Sequence, residues 1–287
     1  MDELPKFRCL MAIALICSLP MAVHAQDRRN SPATLFAWRE TPEPAGELGA
    51  IVTDRPDFTE ASSTVGLGVI QLEAGYTFSQ TRDATETHSH SWGEPLLRVG
   101  MLANWLEFRI AYFPLAEAEK FAGISQTRSG AEDLYLGFKI GLTPQDGWLP
   151  ETAVMPQMTV PTGHISFTND RVLPGVNFLY SWDLTDDLSF AGSTQFNSAV
   201  DDTGNLYTEW AQSLAVGRSL TDRIGMYGEW FALFPDNAVG IKPEHYLDGG
   251  FTYLWTDDVQ FDIRAGMGLN DASDDFFAGT GISLRFH

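Results

Sequence analysis

From Leu72 to Phe286 the chain repeatedly places apolar residues at every second position, with polar or small residues between them. In the first such run Leu72, Ala74, Tyr76 and Phe78 share one side, and Glu73, Gly75, Thr77 and Ser79 share the other. A period of two marks a β-strand with one apolar face. The same alternation sets Phe108 and Ile110 against Glu107 and Arg109, and Phe138 and Ile140 against Lys139 and Gly141. It continues with Phe178 and Tyr180 against Asn177 and Ser181, Tyr253 and Trp255 against Thr252 and Leu254, and Phe261 and Ile263 against Asp262 and Arg264. The last run opposes Leu284 and Phe286 to Ser283 and Arg285. Weaker runs near 93–102, 152–161, 188–197, 207–218 and 224–234 bring the expectation to about twelve strands of roughly ten residues, the length a tilted membrane-spanning strand needs.

The connectors alternate in length. Short polar turns are expected at Ala103-Asn104, 143–150, 185–187, 221–223 and 256–258, and longer polar segments near 80–92, 114–131, 162–172, 198–206, 235–245 and 270–275. Tight turns at one end of every hairpin and loose loops at the other are the habit of outer-membrane barrels. A soluble sandwich would also alternate, but its strands are usually five or six residues long. Aromatics also gather toward the expected strand ends, among them Trp105, Tyr112, Trp148, Trp182, Trp210, Trp230, Trp255 and Phe286. Interfacial girdles have that composition. The fold class expected is therefore all-β: an antiparallel transmembrane β-barrel of about 12 strands, preceded by an irregular N-terminal segment.

Composition refines this picture. Lys6 and Arg8, the apolar run Leu10–Leu19 and the small residues Val23 and Ala25 read as an export signal over residues 1–25, cut after Ala25. Both cysteines, Cys9 and Cys17, lie within it. The remaining chain has no thiol for a disulfide or a Cys-ligated metal. Residues 26–66 contain Pro32, Pro42, Pro44 and Pro56 and no sustained period, with one short helix expected over 31–38 behind a Ser31 cap. Residues 67–287 would form the barrel. A net charge of −20 without clustered Lys or Arg excludes a nucleic-acid surface. A mean hydropathy of −0.11 looks soluble only because a barrel averages an apolar outside with a polar inside.

The inward positions of the alternation are the candidate lumen: Glu73, Arg98, Glu107, Arg109, Asp133, Lys139, Glu209, Glu229, Asp248, Asp262, Arg264 and Arg285. They could form a polar path for a solute or a set of ion pairs that brace the barrel. In the segment before the first strand, Arg55, Pro56 and Asp57 are plug candidates, with Arg55 pairing lumen acids and Pro56 holding an extended path; a periplasmic tail is the competing reading. Catalytic chemistry is thin. His88-Ser89-His90 could ligate a metal but reads first as a pair of solvated loop residues, His164 with Ser166 lacks a fitting acid or Asn for a hydrolase, and the loop holding Asn270, Asp271, Asp274 and Asp275 lacks EF-hand spacing and reads as a solvated hairpin loop. No catalytic residue, metal or cofactor is expected.

The closing run Ile282–His287 resembles the last strand of bacterial outer-membrane barrels, whose terminal aromatic is an assembly signal; here Phe286 is penultimate. The octapeptide Thr53-Asp54-Arg55-Pro56-Asp57-Phe58-Thr59-Glu60, followed by Val69–Ser79, resembles a family of outer-membrane transporters labelled for the MetA pathway of phenol degradation. That resemblance implies passage or binding of small, often aromatic, organic molecules. The partners expected are outer-membrane lipid, the outer-membrane assembly machinery and a small-molecule solute. Two other readings stay open: a closed structural or adhesive barrel working through acidic outer loops, and an outer-membrane lipid-modifying enzyme.

Overall fold

A computed structural model describes residues 34–36, 48–82, 86–121, 124–201 and 203–287. The expected export signal lies outside these residues, and of the expected helix only 34–36 are described, as a turn. The strands are β1 (Ile70–Arg82), β2 (Glu86–Gly100), β3 (Leu106–Ala111), β4 (Pro114–Phe121), β5 (Ile124–Ala131), β6 (Leu134–Thr143) and β7 (Glu151–Val160). They continue as β8 (Leu173–Asp183), β9 (Leu188–Val200), β10 (Leu206–Ser219), β11 (Ile224–Asp236), β12 (Glu244–Thr256), β13 (Val259–Gly268) and β14 (Phe276–Phe286). All pairings are antiparallel. The first strand pairs with both β14 and β2, so the sheet closes on itself. Two walls are interrupted: β3 and β4 both pair with β2, and β5 and β6 pair with β4 and β3 in turn. Counting each interrupted wall once gives a closed barrel of 12 strands, with no helix among the described residues. Closure leaves no sheet edge to be satisfied by lipid.

The outward positions carry the apolar residues that alternation assigns to them. Phe138, Phe178, Phe196, Val216, Leu247, Phe251, Phe261, Ile263 and Met267 are all exposed on the barrel wall. An exposed band of this kind is stable only against another apolar phase. The opposite positions hold the buried polar groups, so the usual arrangement of a soluble protein is inverted. The expected aromatic Trp148 lies in the 144–150 turn and is 92% exposed, while Phe286 pairs with Ile70 where the barrel closes.

The segments expected as long loops near 80–92 and 114–131 are instead largely β-structure. The β1–β2 hairpin continues through Arg82↔Glu86, and β4–β5 forms a second hairpin whose opposed Glu117 and Arg128 make a 2.8 Å ion pair. Polar residues on both faces hide these stretches from a hydrophobic-period reading, but cross-strand polar pairs stabilise a ladder in water. A bulge at Gly93 and Glu94, both at positive φ, shifts the pairing of β2 with β1. It also changes the inward phase from odd residues such as Ser91 to even ones such as Arg98.

Candidate functional site

Residues 51–65 run through the inside of the barrel rather than trailing from it. The stretch is tied to the short-turn rim where Ile51 N donates to Asp257 O at 2.7 Å and Arg285 donates to Gly49 O at 2.7 Å. Gln71 and Gln260 then receive it, donating to Val52 O and Thr53 Oγ1. Beyond Glu60 it crosses to β7 and β8, where Ser62 Oγ donates to Glu151 at 2.9 Å. It returns along β3, with Val65 N donating to Glu107 at 2.9 Å. Gly68 finally pairs with Gly100 to start the barrel wall.

Asp54 is the centre of a buried ionic cluster. Its carboxylate accepts from Lys139 Nζ at 2.8 Å, lies 3.3 Å from Arg98, and is bonded by Arg109. Glu107 takes Arg98 Nε at 2.7 Å and Arg109 at 3.1 Å, and Glu73 takes Arg98 at 3.0 Å. Glu73 also accepts the backbone N–H groups of Asp54 and Arg55 at 3.1 Å. Three cations thus meet carboxylates from both the wall and the segment, which is the condition for burying charge at tolerable cost. Burial by itself would raise the Asp54 carboxyl; Arg98, Lys139 and Arg109 outweigh it and hold the group far below the usual carboxylate range.

Arg55 reaches the neighbouring stretch of the inner wall, where β13 and β14 meet β1 and β2. It pairs with Glu94 at 2.7 Å and with Asp262 at 3.3 Å. Its guanidinium lies against Gly75 and Gly281, which are paired across β1 and β14. A few residues on, Glu229 accepts Phe58 N at 2.6 Å and Thr59 N at 2.7 Å. Asn177 donates to Glu60 at 3.1 Å. Asp57 faces Glu229 and Asp248 and has no basic partner among the described residues; burial first, then those two acids, push its carboxyl well up.

The remaining sequence candidates sit apart. Asp248 accepts from Tyr227 at 3.1 Å, and Arg264 donates to Pro56 O at 2.8 Å and to Thr77 at 3.1 Å. Glu209 accepts from Tyr207, toward the long-loop end. Asp133 caps the 161–172 loop through Gly163 N and Asn169 N, both at 3.0 Å. Arg285 sits at the short-turn rim on Asp258. His164 Nδ1 accepts from the Ser166 backbone, so its hydroxyl is not the partner. Asp275 accepts from Arg82 N, Asp274 is bonded by Thr81, and no group of three or more His, Cys, Asp or Glu suited to a metal occurs among the described residues.

In the sequence Asp54, Phe58 and Glu60 stand out only as members of the octapeptide, with no partner or role of their own, and Glu94 does not stand out at all. Glu94 shares the parity of Arg98 and was findable on that signal; the other three lie in a segment without a period.

Two chambers flank residues 53–58. One of about 350 Å³ opens toward the long-loop end and is lined by Phe58, Phe231, Tyr246, Arg264 and Phe277. The other, about 340 Å³, opens toward the short-turn end beside Arg55, Pro56, Asp57 and Tyr227. The thin strip from Pro56 to Phe58 borders both.

Residues 53–286 match the sequence model of the family described as "Putative MetA-pathway of phenol degradation". No curated protein sequence matches the chain. Among solved structures it is similar to the COG4313 outer membrane channel from Pseudomonas putida F1, with 13% identity and a TM-score of 0.64 over 81% of this chain and 99% of that one. It is also similar to the translocator domain of autotransporter NalP from Neisseria meningitidis, at 9% identity and a TM-score of 0.52, covering 77% of this chain and 89% of that one. At these identities the likeness is one of fold.

Proposed function

We infer, from the premise that this chain belongs to the MetA-pathway family matched over residues 53–286, that it is a passive outer-membrane channel for small organic solutes. The observation that carries this reading is the pair of chambers on the two sides of residues 53–58. A barrel built only for structure gains nothing from unfilled space, since close-packed interiors are more stable. Here the two chambers open toward opposite ends of the barrel and are separated by one strip of chain that belongs to no strand.

In this reading the short-turn end faces the periplasm, residues 26–66 act from that side, and the strip at 56–58 is the constriction. Selectivity comes from Arg55, Asp57, Asp248 and Arg264 around it. Movement is down a gradient, and the residues act by lining and orienting rather than by chemistry. The test is single-channel conductance in planar bilayers of the mature chain and of a form lacking residues 26–60. Open-state conductance is expected to rise severalfold on deletion; unchanged conductance would overturn the constriction. Because deletion also strips Asp54 from Arg98, Arg109 and Lys139, the variant Arg55→Gln, which leaves that cluster intact, serves as the second probe.

A further inference from the structure

The chamber toward the long-loop end has an uncommon floor. Phe231 stacks with Tyr246 of the paired strand at 4.7 Å and 17°, and with Phe58 of the inner segment at 4.5 Å and 3°. Phe277 closes the group edge-on to Tyr246. Phe58 differs from the other three because its ring comes from outside the wall. Its backbone is fixed by the 2.6 Å bond from Phe58 N to Glu229. A rotation of the side chain would uncover Phe231 without breaking that bond or shifting a wall strand.

The charge in the chamber points the same way. Arg264 lies 5.6 Å over the Phe277 ring and donates only to neutral oxygens, Pro56 O and Thr77 Oγ1. Among the described residues it makes no direct ion pair, although Asp248 and Asp262 are close enough to feel its charge. Glu94 and Asp274 also line the chamber, but Glu94 is engaged by Arg55 and Asp274 by the Thr81 hydroxyl. One guanidinium with spare capacity beside acids suits a single negative charge and disfavours a dianion.

We propose that the face of Phe231 now covered by Phe58 is a binding site for one planar aromatic ring bearing a single carboxylate, and that Phe58 occupies the ring's place when the site is empty. This rests on the channel reading for its purpose, though binding can be measured without transport. A ring entering the chamber stacks on Phe231, presents its carboxylate toward Arg264 and displaces the Phe58 side chain. The solute thereby opens the strip it must pass.

The two roles available to Phe58 predict opposite signs. If its ring were part of the pocket wall, truncating it would weaken binding; as a resident competitor, its removal tightens binding. Isothermal titration of the full chain in detergent with benzoate should show Phe58→Ala binding about fivefold tighter than the unmodified protein, the scale of one lost aromatic pair. Phe58→Leu, which keeps bulk but cannot stack, should move in the same direction. Cyclohexanecarboxylate, of equal charge but without a planar ring, should bind about tenfold weaker than benzoate, and Arg264→Gln should remove most of the preference of benzoate over benzamide. Weaker or unchanged binding in both Phe58 variants, or equal binding of the two acids, would overturn the proposal. Benzoate binding by a protein that passes no current would sink the channel reading alone; current without this pattern of binding would sink the binding site alone.

Discussion

The Arg55 side chain fills the space that a Cβ on Gly281 would require. These residues are 226 positions apart by the numbering of the chain, and the contact exists because Gly75 and Gly281 face each other on β1 and β14. Two adjacent inward positions without side chains form a shallow trough, and the guanidinium lies in it to reach Glu94 and Asp262. Glycine weakens a strand interior, so its presence here fits the close approach of another chain segment.

Gly281→Val should therefore fold as a barrel yet release Arg55. Valine suits a strand and fills the trough; its Cβ would also come within 2.8 Å of Ala74 O on β1, a crowding confined to one of the eleven residue pairs that close β1 on β14, so closure persists through the others. Limited proteolysis of residues 53–60 should accelerate severalfold, with the heat-modifiable gel shift of the barrel retained. Unchanged protection would show that Arg55 does not depend on the trough.

Removing the Asp54 charge should cost more than removing Arg55. Asp54→Asn keeps the shape but leaves Arg98, Arg109 and Lys139 with one carboxylate fewer in a buried site. Breaking such a cluster costs about 3 kcal/mol. Hydrogen exchange across residues 53–62 should report that loss as faster exchange, whereas the outward strand amides should be little changed.

Docking of the inner segment should also weaken toward both extremes of pH. Asp54 is depressed, so its contribution is present above the unfolded carboxylate value of about 4 and is lost as pH falls through the folded value. Asp57 is raised, so its contribution is present below that unfolded value and declines as pH rises toward the folded one. Asp57→Asn should reduce the loosening on the alkaline side, the rest belonging to Glu60, whose carboxyl burial also pushes up, and should leave the acidic side unchanged, measured as proteolytic protection of the segment across pH. An alkaline limb of undiminished size would show that Asp57 is not a titrating group.

On the outer wall, Ile263→Arg should destabilise the barrel by about 2–4 kcal/mol in bilayers, because a guanidinium would face hydrocarbon. Thr77→Arg, two strands away across β14 and on the inside, should cost less. Urea titration in lipid vesicles separates the two, and equal costs would contradict the assignment of faces.

The alternation from Leu72 to Phe286 by itself determined the strand type, the closed-barrel class, the number of walls and which side chains of β3, β6, β8 and β13 point inward. Those follow from a period of two and from the requirement that lipid-facing backbone be paired. It was silent where both faces are polar, in the β1–β2 and β4–β5 hairpins, and it blurred at Gly93–Glu94, where a bulge changes phase. Only the tertiary structure decided which charges meet. Arg98 and Glu107 are neighbours on paired strands, but their shared partner Asp54 comes from a segment with no period, held by contacts from walls far apart in sequence. Closure sets those distances: it brings β1 to β14 and wraps the wall around residues 51–65, and a local pattern carries no record of what stands across a lumen.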